Sequence, residues 1–176
     1  MIESIHFHVR DPGLRWVKDS DVAINSDGPL DSARTLTPNV VKVSGGYRLY
    51  YHGYGPGRPR PESSGYILSA FSEDAGTWHK EEGVRIDAGG ESAADCVWGP
   101  DVISLSGDGY RMYFEGRTNQ ADGRVKSVIL SAWSTDGLNW QQEPGTRLTG
   151  EETSYGAPRC IPLGSVTTLA EGSPHF

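Results

Sequence analysis

The residues best able to do chemistry in this chain stand at matching points of a recurring pattern. Asn39, Asp101 and Arg159 each follow a proline, in Pro38-Asn39, Pro100-Asp101 and Pro158-Arg159. An amide, a carboxylate and a guanidinium together make a polyol-binding set, because sugar hydroxyls both donate and accept hydrogen bonds. The plainer role for the three is to hydrogen-bond the chain between neighbouring repeats. Glu115 is a second carboxylate of interest. Pairing strands across the turn near residue 107 sets Asp101 opposite Phe114, with Glu115 beside it; the matching residue one repeat earlier is His52. Acid–base cleavage of a glycosidic bond needs one protonated and one ionised carboxyl, about 5 Å or roughly 6.5–9.5 Å apart. Asp101 and Glu115 are the pair on offer as catalytic residues, with Asn39, Arg159, His52 and Trp98 as substrate-binding residues. The alternative for Glu115 is a solvent-facing carboxylate at a strand end.

Other chemistries find little support. His6 and His8 alternate along an expected strand and share a side, but no third ligand joins them, so no metal site is expected. A Gly-rich phosphate loop and a serine nucleophile elbow are both missing, and no cofactor is expected. The segment Tyr54-Gly55-Pro56-Gly57-Arg58-Pro59-Arg60-Pro61-Glu62 is proline-stiffened and carries two arginines, which would suit the rim of an acidic-sugar site or an ordinary solvated loop. The comparable stretch from Arg117 to Lys126 reads as a polar, flexible loop.

What must position these residues is an internal repeat. Trp16, Trp78 and Trp140 fall at equal intervals of about 62 residues. Gly137-Leu138-Asn139-Trp140 parallels Gly13-Leu14-Arg15-Trp16, and Ile129-Leu130-Ser131-Ala132 parallels Ile67-Leu68-Ser69-Ala70. Gly46-Tyr47-Arg48-Leu49-Tyr50-Tyr51 recurs as Gly109-Tyr110-Arg111-Met112-Tyr113-Phe114. Each unit resolves into four short strands: Val40–Val43, Tyr47–His52, Ile67–Phe71 and a fourth carrying Trp78 and ending near Ile86. In the second unit they are Val102–Leu105, Tyr110–Glu115, Val128–Trp133 and a fourth with Trp140 ending near Leu148. Four antiparallel strands per repeat predict an all-β chain of β-propeller blades. Stacked blades bury both faces, so Trp78 and Trp140 are expected in the core. Asp74 and Asp136, in Ser-x-Asp turns, are expected to accept backbone N–H groups.

The series Pro-Asp-Val, Gly-Tyr-Arg-Met-Tyr-Phe and Ser-x-Asp-Gly-Leu-x-Trp resembles the five-bladed propeller glycosidases. These are glycoside hydrolase family 43 and the related fructosidase and mannoside phosphorylase families. The resemblance covers roughly residues 36–163, and Val97-Trp98-Gly99-Pro100-Asp101-Val102 is similar to the Trp-Ala-Pro-Asp-Val segment of family 43. It implies a funnel at the centre of the ring, with Asp101 tuning the general acid and orienting the sugar. The family uses three carboxylates on successive blades; here Asn39 and Arg159 occupy two of the matching positions.

Composition sets the remaining bounds. The 176 residues carry a net charge of −7, which argues against a nucleic-acid backbone as partner. No apolar run reaches the roughly 18 residues of a membrane span, and the first residues do not read as a leader, so a cytoplasmic location is expected. Cys96 and Cys160 are read as free thiols, with one disulfide as the alternative. Half a blade (5–24), two full blades (36–86 and 98–148) and a further half (157–170) are expected, and five blades of this length exceed 176 residues. Such a chain is incomplete as a propeller, whether as a fragment, a trimmed piece or one half of a homodimer in which the half blades complete each other.

Overall fold

A computed structural model describes residues 22–55, 65–89, 95–106 and 109–150. Arg159, His6, His8, Cys160, the two half blades except for residues 22–24, and most of the proline-rich segment lie outside the described residues.

The described chain is all β and antiparallel. The first sheet runs in chain order through β1 (Arg34–Val43), β2 (Gly46–Tyr54), β3 (Tyr66–Ser72) and β4 (His79–Lys80). The second repeats that order with β5 (Cys96–Ser104), β6 (Tyr110–Asn119), β7 (Val125–Ser134) and β8 (Gln141–Gln142), and adds β9 (Leu148–Thr149) on β7.

Three details differ from the sequence reading. The first strands begin well before Pro38 and Pro100, so both prolines lie inside β1 and β5. A proline donates no ladder hydrogen bond, and each sits at a break in the register, between Leu36 and Asn39 and between Trp98 and Asp101. Second, Arg117 to Lys126 is a hairpin: β6 and β7 pair as far as Asn119↔Val125. Third, the fourth strand is split. Trp78 and Trp140 come just before it, and only two residues pair before the chain turns through Gly83 (φ 86°) and Gly145 (φ 79°). The chain then returns at Ile86↔Ile67 in the first sheet and Leu148↔Ile129 in the second.

Residues alternate across each strand, and both faces of the first sheet are covered. Leu49, Tyr51 and Leu68 pack under Ile24, Leu30, Trp78 and Val84. On the opposite face Tyr50 and Ile67 join Ile86, Val97, Met112, Phe114, Leu130 and Ala132 in the core between the sheets, with Trp140 against it. At about 25 cal/mol per Å² of apolar surface removed from water, this layer is the main cohesive term.

Polar groups fix the angle at which the sheets meet. Asp136 Oδ1 accepts from the backbone N–H groups of Leu138 and Asn139 and from the Ser134 hydroxyl, so the turn is rigid. The same turn recurs around Asp74, which accepts from Gly76, Thr77 and Ser72. These bonds hold both carboxyls below the ordinary carboxylate range, Asp74 at about 2. The second turn presents three successive carbonyls to the first sheet. Arg48 Nη1 donates to Asp136 O at 2.8 Å, the Tyr50 hydroxyl to Gly137 O at 2.7 Å and Arg85 Nη1 to Leu138 O at 2.9 Å. The Trp140 ring meets Tyr50 edge-on, centroids 5.7 Å apart.

Gly137 is required twice over. Its φ is 72°, and a Cβ there would stand 2.6 Å from Arg48 Nη1 and 2.7 Å from the Tyr50 hydroxyl. Ala75, at the same point of the first turn, has φ 61°, so the backbone conformation alone tolerates alanine. Gly137→Ala is therefore expected to lower stability by about 1–3 kcal/mol through overpacking, read as a lower urea midpoint at unchanged slope. Ala75→Gly should stay within about 1 kcal/mol.

Candidate functional site

The two first strands lie side by side, and the repeat brings their matching residues into contact. Asn39 Nδ2 donates to Asp101 Oδ1 at 3.0 Å, and Asn39 Oδ1 accepts from the Val102 backbone N–H at 3.1 Å. The buried amide thus braces a half-exposed carboxylate. Burial raises the Asp101 carboxyl above the ordinary range, which favours its protonated form.

Both residues follow an irregular piece of strand. Thr37 has φ 49° and Gly99 has φ 53°, the same left-handed step two residues before Asn39 and Asp101. Bulges of this kind re-aim side chains and cluster near functional sites. Threonine is β-branched, and this conformation strains it; its buried Oγ1 also has no hydrogen-bond partner among the described residues.

The bulge changes the expected register. Asp101 lies opposite Tyr113, not Phe114, and Glu115 lies opposite Trp98. Glu115 is buried and engaged: Oε1 accepts from Arg117 Nε at 2.7 Å and from the Ser127 hydroxyl at 2.8 Å, and Oε2 accepts from Arg117 Nη2 at 3.3 Å. It is not the solvent-facing residue of the alternative reading.

Trp98, His52 and Tyr54 form an aromatic group beside this ion pair. The His52 and Trp98 centroids are 4.3 Å apart, those of His52 and Tyr54 4.5 Å, and the Arg117 guanidinium lies 4.4 Å from the Trp98 ring centre. His52 is fully buried, and a side chain at Gly65 would collide with its ring. Neither His52 nitrogen has a hydrogen-bond partner among the described residues, and neither does Trp98 Nε1. Three unpaired buried nitrogens in one group are costly, about 1–3 kcal/mol each, and such groups mark functional positions or sites of bound water. Burial, with Arg117 and Arg34 adding to it, pushes His52 down from 6.5 to about 3. Cys96, also on β5, is a free, buried thiol, and burial raises it.

Of the sequence candidates, then, Asn39 and Asp101 touch, and His52 and Trp98 touch. Glu115 belongs with Arg117 and Ser127. Arg117, Ser127 and Tyr54 are additions; Arg117 stands two residues from Glu115 on β6 and Tyr54 two from His52 on β2, which was the available signal, while Ser127 faces Arg117 from β7. Among the described residues no group of three or more His, Cys, Asp or Glu is placed to hold a metal ion.

No family model matches the chain. Two uncharacterized proteins from strains of Mycobacterium tuberculosis are each 33% identical to it over 133 residues, which is 74% of the chain. The chain spans 40% of the length of these curated relatives. Among solved structures, a glycosyl hydrolase from Bacteroides ovatus aligns with 61% of this chain and 30% of its own, at 15% identity and a TM-score of 0.51. A protein of the GH130 family of mannoside phosphorylases aligns with 74% of this chain and 35% of its own, at 16% identity and a TM-score of 0.44, too distant to carry an argument. At such identity the likeness speaks for the fold alone, an all-β arrangement of the glycosidase-like propeller kind.

Two predictions arise here. Thr37→Gly relieves the left-handed strain and removes the unpaired hydroxyl, and should stabilise the protein by about 1 kcal/mol in denaturant titration. His52 binds a proton near pH 6.5 when unfolded and resists it when folded. Its contribution is complete above pH 6.5 and falls away as the pH drops towards 3. His52→Phe should flatten stability across that window, a difference on the order of 3 kcal/mol between pH 7 and pH 4.

Proposed function

We propose that this chain is part of a carbohydrate-active β-propeller of four-stranded blades, acting on or binding oligo- or polysaccharide at the face where the first strands open, with Asp101 as the carboxylate that meets the sugar. The observation that carries this reading is the Asn39–Asp101 pair on matching bulges of adjacent first strands. A carboxylate braced by a buried amide is pre-organised: its free oxygen can accept from a sugar hydroxyl without first losing a mobile solvent shell. Its raised pKa suits a group that gives up or orients a proton. The Trp98-Gly99-Pro100-Asp101-Val102 resemblance to family 43 and the glycosyl hydrolase fold support the same class. His52 lies opposite Leu36 at one strand break and Trp98 stands at the other, and their ring nitrogens have no hydrogen-bond partner among the described residues.

Hydrolysis needs a second carboxyl with its own proton traffic. Glu115 fills that role in the hydrolase reading, with Arg117 and Ser127 holding it in place. One feature favours binding without turnover. Asn39 stands at a position where the resembling family has an acid, and its amide group is committed to Asp101 and Val102.

A panel of neutral and acidic oligosaccharides, followed by thermal shift and by release of reducing ends, separates these outcomes. A ligand at about 100 times its Kd adds roughly 2.7 kcal/mol to the folded state. Asp101→Asn should abolish that shift while leaving the unliganded melting temperature within a few degrees. Turnover lost in both Asp101→Asn and Glu115→Gln selects the hydrolase, and binding without turnover selects the module. A panel that moves nothing, or binding that survives Asp101→Asn, removes the proposal.

A further inference from the structure

Comparing the two repeats shows which residues each sheet requires, and several departures from the repeat collect at one cavity. Leu49, Tyr51 and Leu68 of the first sheet match Met112, Phe114 and Leu130 of the second. The second set packs in one core with Tyr50, Ile67 and Ile86 of the first sheet. The first set is covered instead by Ile24 and Leu30, from the chain before β1, together with Trp78 and Val84. A short irregular segment fills less space than a sheet does. A cavity of about 330 Å³ remains there, and Pro29, Leu30, Tyr51, Leu68, Lys80 and Glu82 are among the residues that line it.

Three of these positions change character between the repeats. Tyr51 stands where the second sheet has Phe114, Lys80 where it has Gln142, and Glu82 where the sequence repeat has Pro144. The first two have a local use. The buried Asp31 carboxylate accepts from the Tyr51 hydroxyl at 2.9 Å, from the Gly28 N–H at 2.8 Å and from Lys80 Nζ at 2.7 Å. Lys80 also pairs with Asp27 at 2.7 Å. Glu82 has no such use among the described residues. It is exposed, and its main-chain carbonyl, not its carboxylate, accepts from Arg85.

The walls and the mouth of the cavity differ in chemistry. Leu30, Leu68 and the Tyr51 ring present an apolar surface, in a volume within the range of small-molecule sites. At the mouth Asp27, Asp31 and Glu82 stand against one ammonium, that of Lys80, because Glu81 is held by Arg48 at 2.9 Å. An excess of carboxylate attracts cations and repels anions.

We infer that this cavity is a second binding site, for a small organic cation whose ammonium lies at Glu82 and Asp27 and whose apolar body rests on Leu30 and Leu68. The inference does not rest on the carbohydrate reading, and the cavity shares no residue with the Asn39–Asp101 pair.

The test is an NMR titration of the intact chain with benzylammonium, and with benzyl alcohol and benzoate as neutral and anionic probes of the same shape. Benzylammonium should saturate with a Kd on the order of 1 mM, as expected of so small a molecule. Benzyl alcohol should bind several-fold more weakly, and benzoate should not bind. Glu82→Gln removes an exposed charge without disturbing the fold and should weaken benzylammonium by about threefold. Leu30→Trp, which fills the apolar end, should abolish binding, and Asp101→Asn should leave it unchanged. The absence of saturable benzylammonium binding overturns the inference. Equal affinity for the alcohol, binding unmoved by Glu82→Gln, or binding lost in Asp101→Asn does the same.

Discussion

Three donors on one sheet and three consecutive carbonyls on the next set the geometry of everything else described. Apolar contact between the sheets provides most of the cohesion, but it is non-directional and would permit sliding. Arg48, Tyr50 and Arg85 read carbonyls at 2.7–2.9 Å, and a shift of one residue would unpair all of them. Buried donors left without acceptors cost far more than such bonds contribute when made. The lock therefore acts as a register pin, and the Asp136 carboxylate that stiffens the turn belongs to the same device.

With the sheets pinned at their outer ends, their first strands are brought together at the other. Asn39 reaches Asp101 only because β1 and β5 run side by side with the same bulge at the same point. The left-handed step is strained in one copy and relaxed in the other, threonine at position 37 and glycine at 99. A β-branched residue in that conformation survives because the surrounding ladder over-determines it. Beside the pair, burial holds His52 neutral, and its ring nitrogens have no hydrogen-bond partner among the described residues.

Much of this architecture was legible from the repeat. The Gly-Tyr-Arg segments mark the second strands because a glycine-bearing turn and a period of two follow one another directly. The Asp74 and Asp136 turns were legible because an aspartate two residues after a serine has few other uses. Asn39 and Asp101 could be placed on one face because they are matching residues of stacked units, and their direct contact answers to the plainer role of bonding one repeat to the next. The pairing of Asp101 with Phe114 was off by one, since an extra residue between Trp98 and Asp101 leaves no trace in composition. The Arg117–Lys126 hairpin was hidden by its polar residues: one face of an outer hairpin meets solvent, so alternation with apolar residues fades there. The split fourth strand was obscured in the same way by the glycines at 83 and 145, which look like ordinary turn residues until their partners Ile67 and Ile129 are known.

The acceptors in the lock are main-chain carbonyls, and this has an evolutionary consequence. A joint between side chains must be changed on both sides at once when a unit is copied or replaced. A joint that reads backbone asks for a glycine and a turn of the right shape, because its three bonds go to the main-chain oxygens of residues 136–138 and not to their side chains. Units built this way can be duplicated, lost or exchanged between genes without re-evolving their contacts.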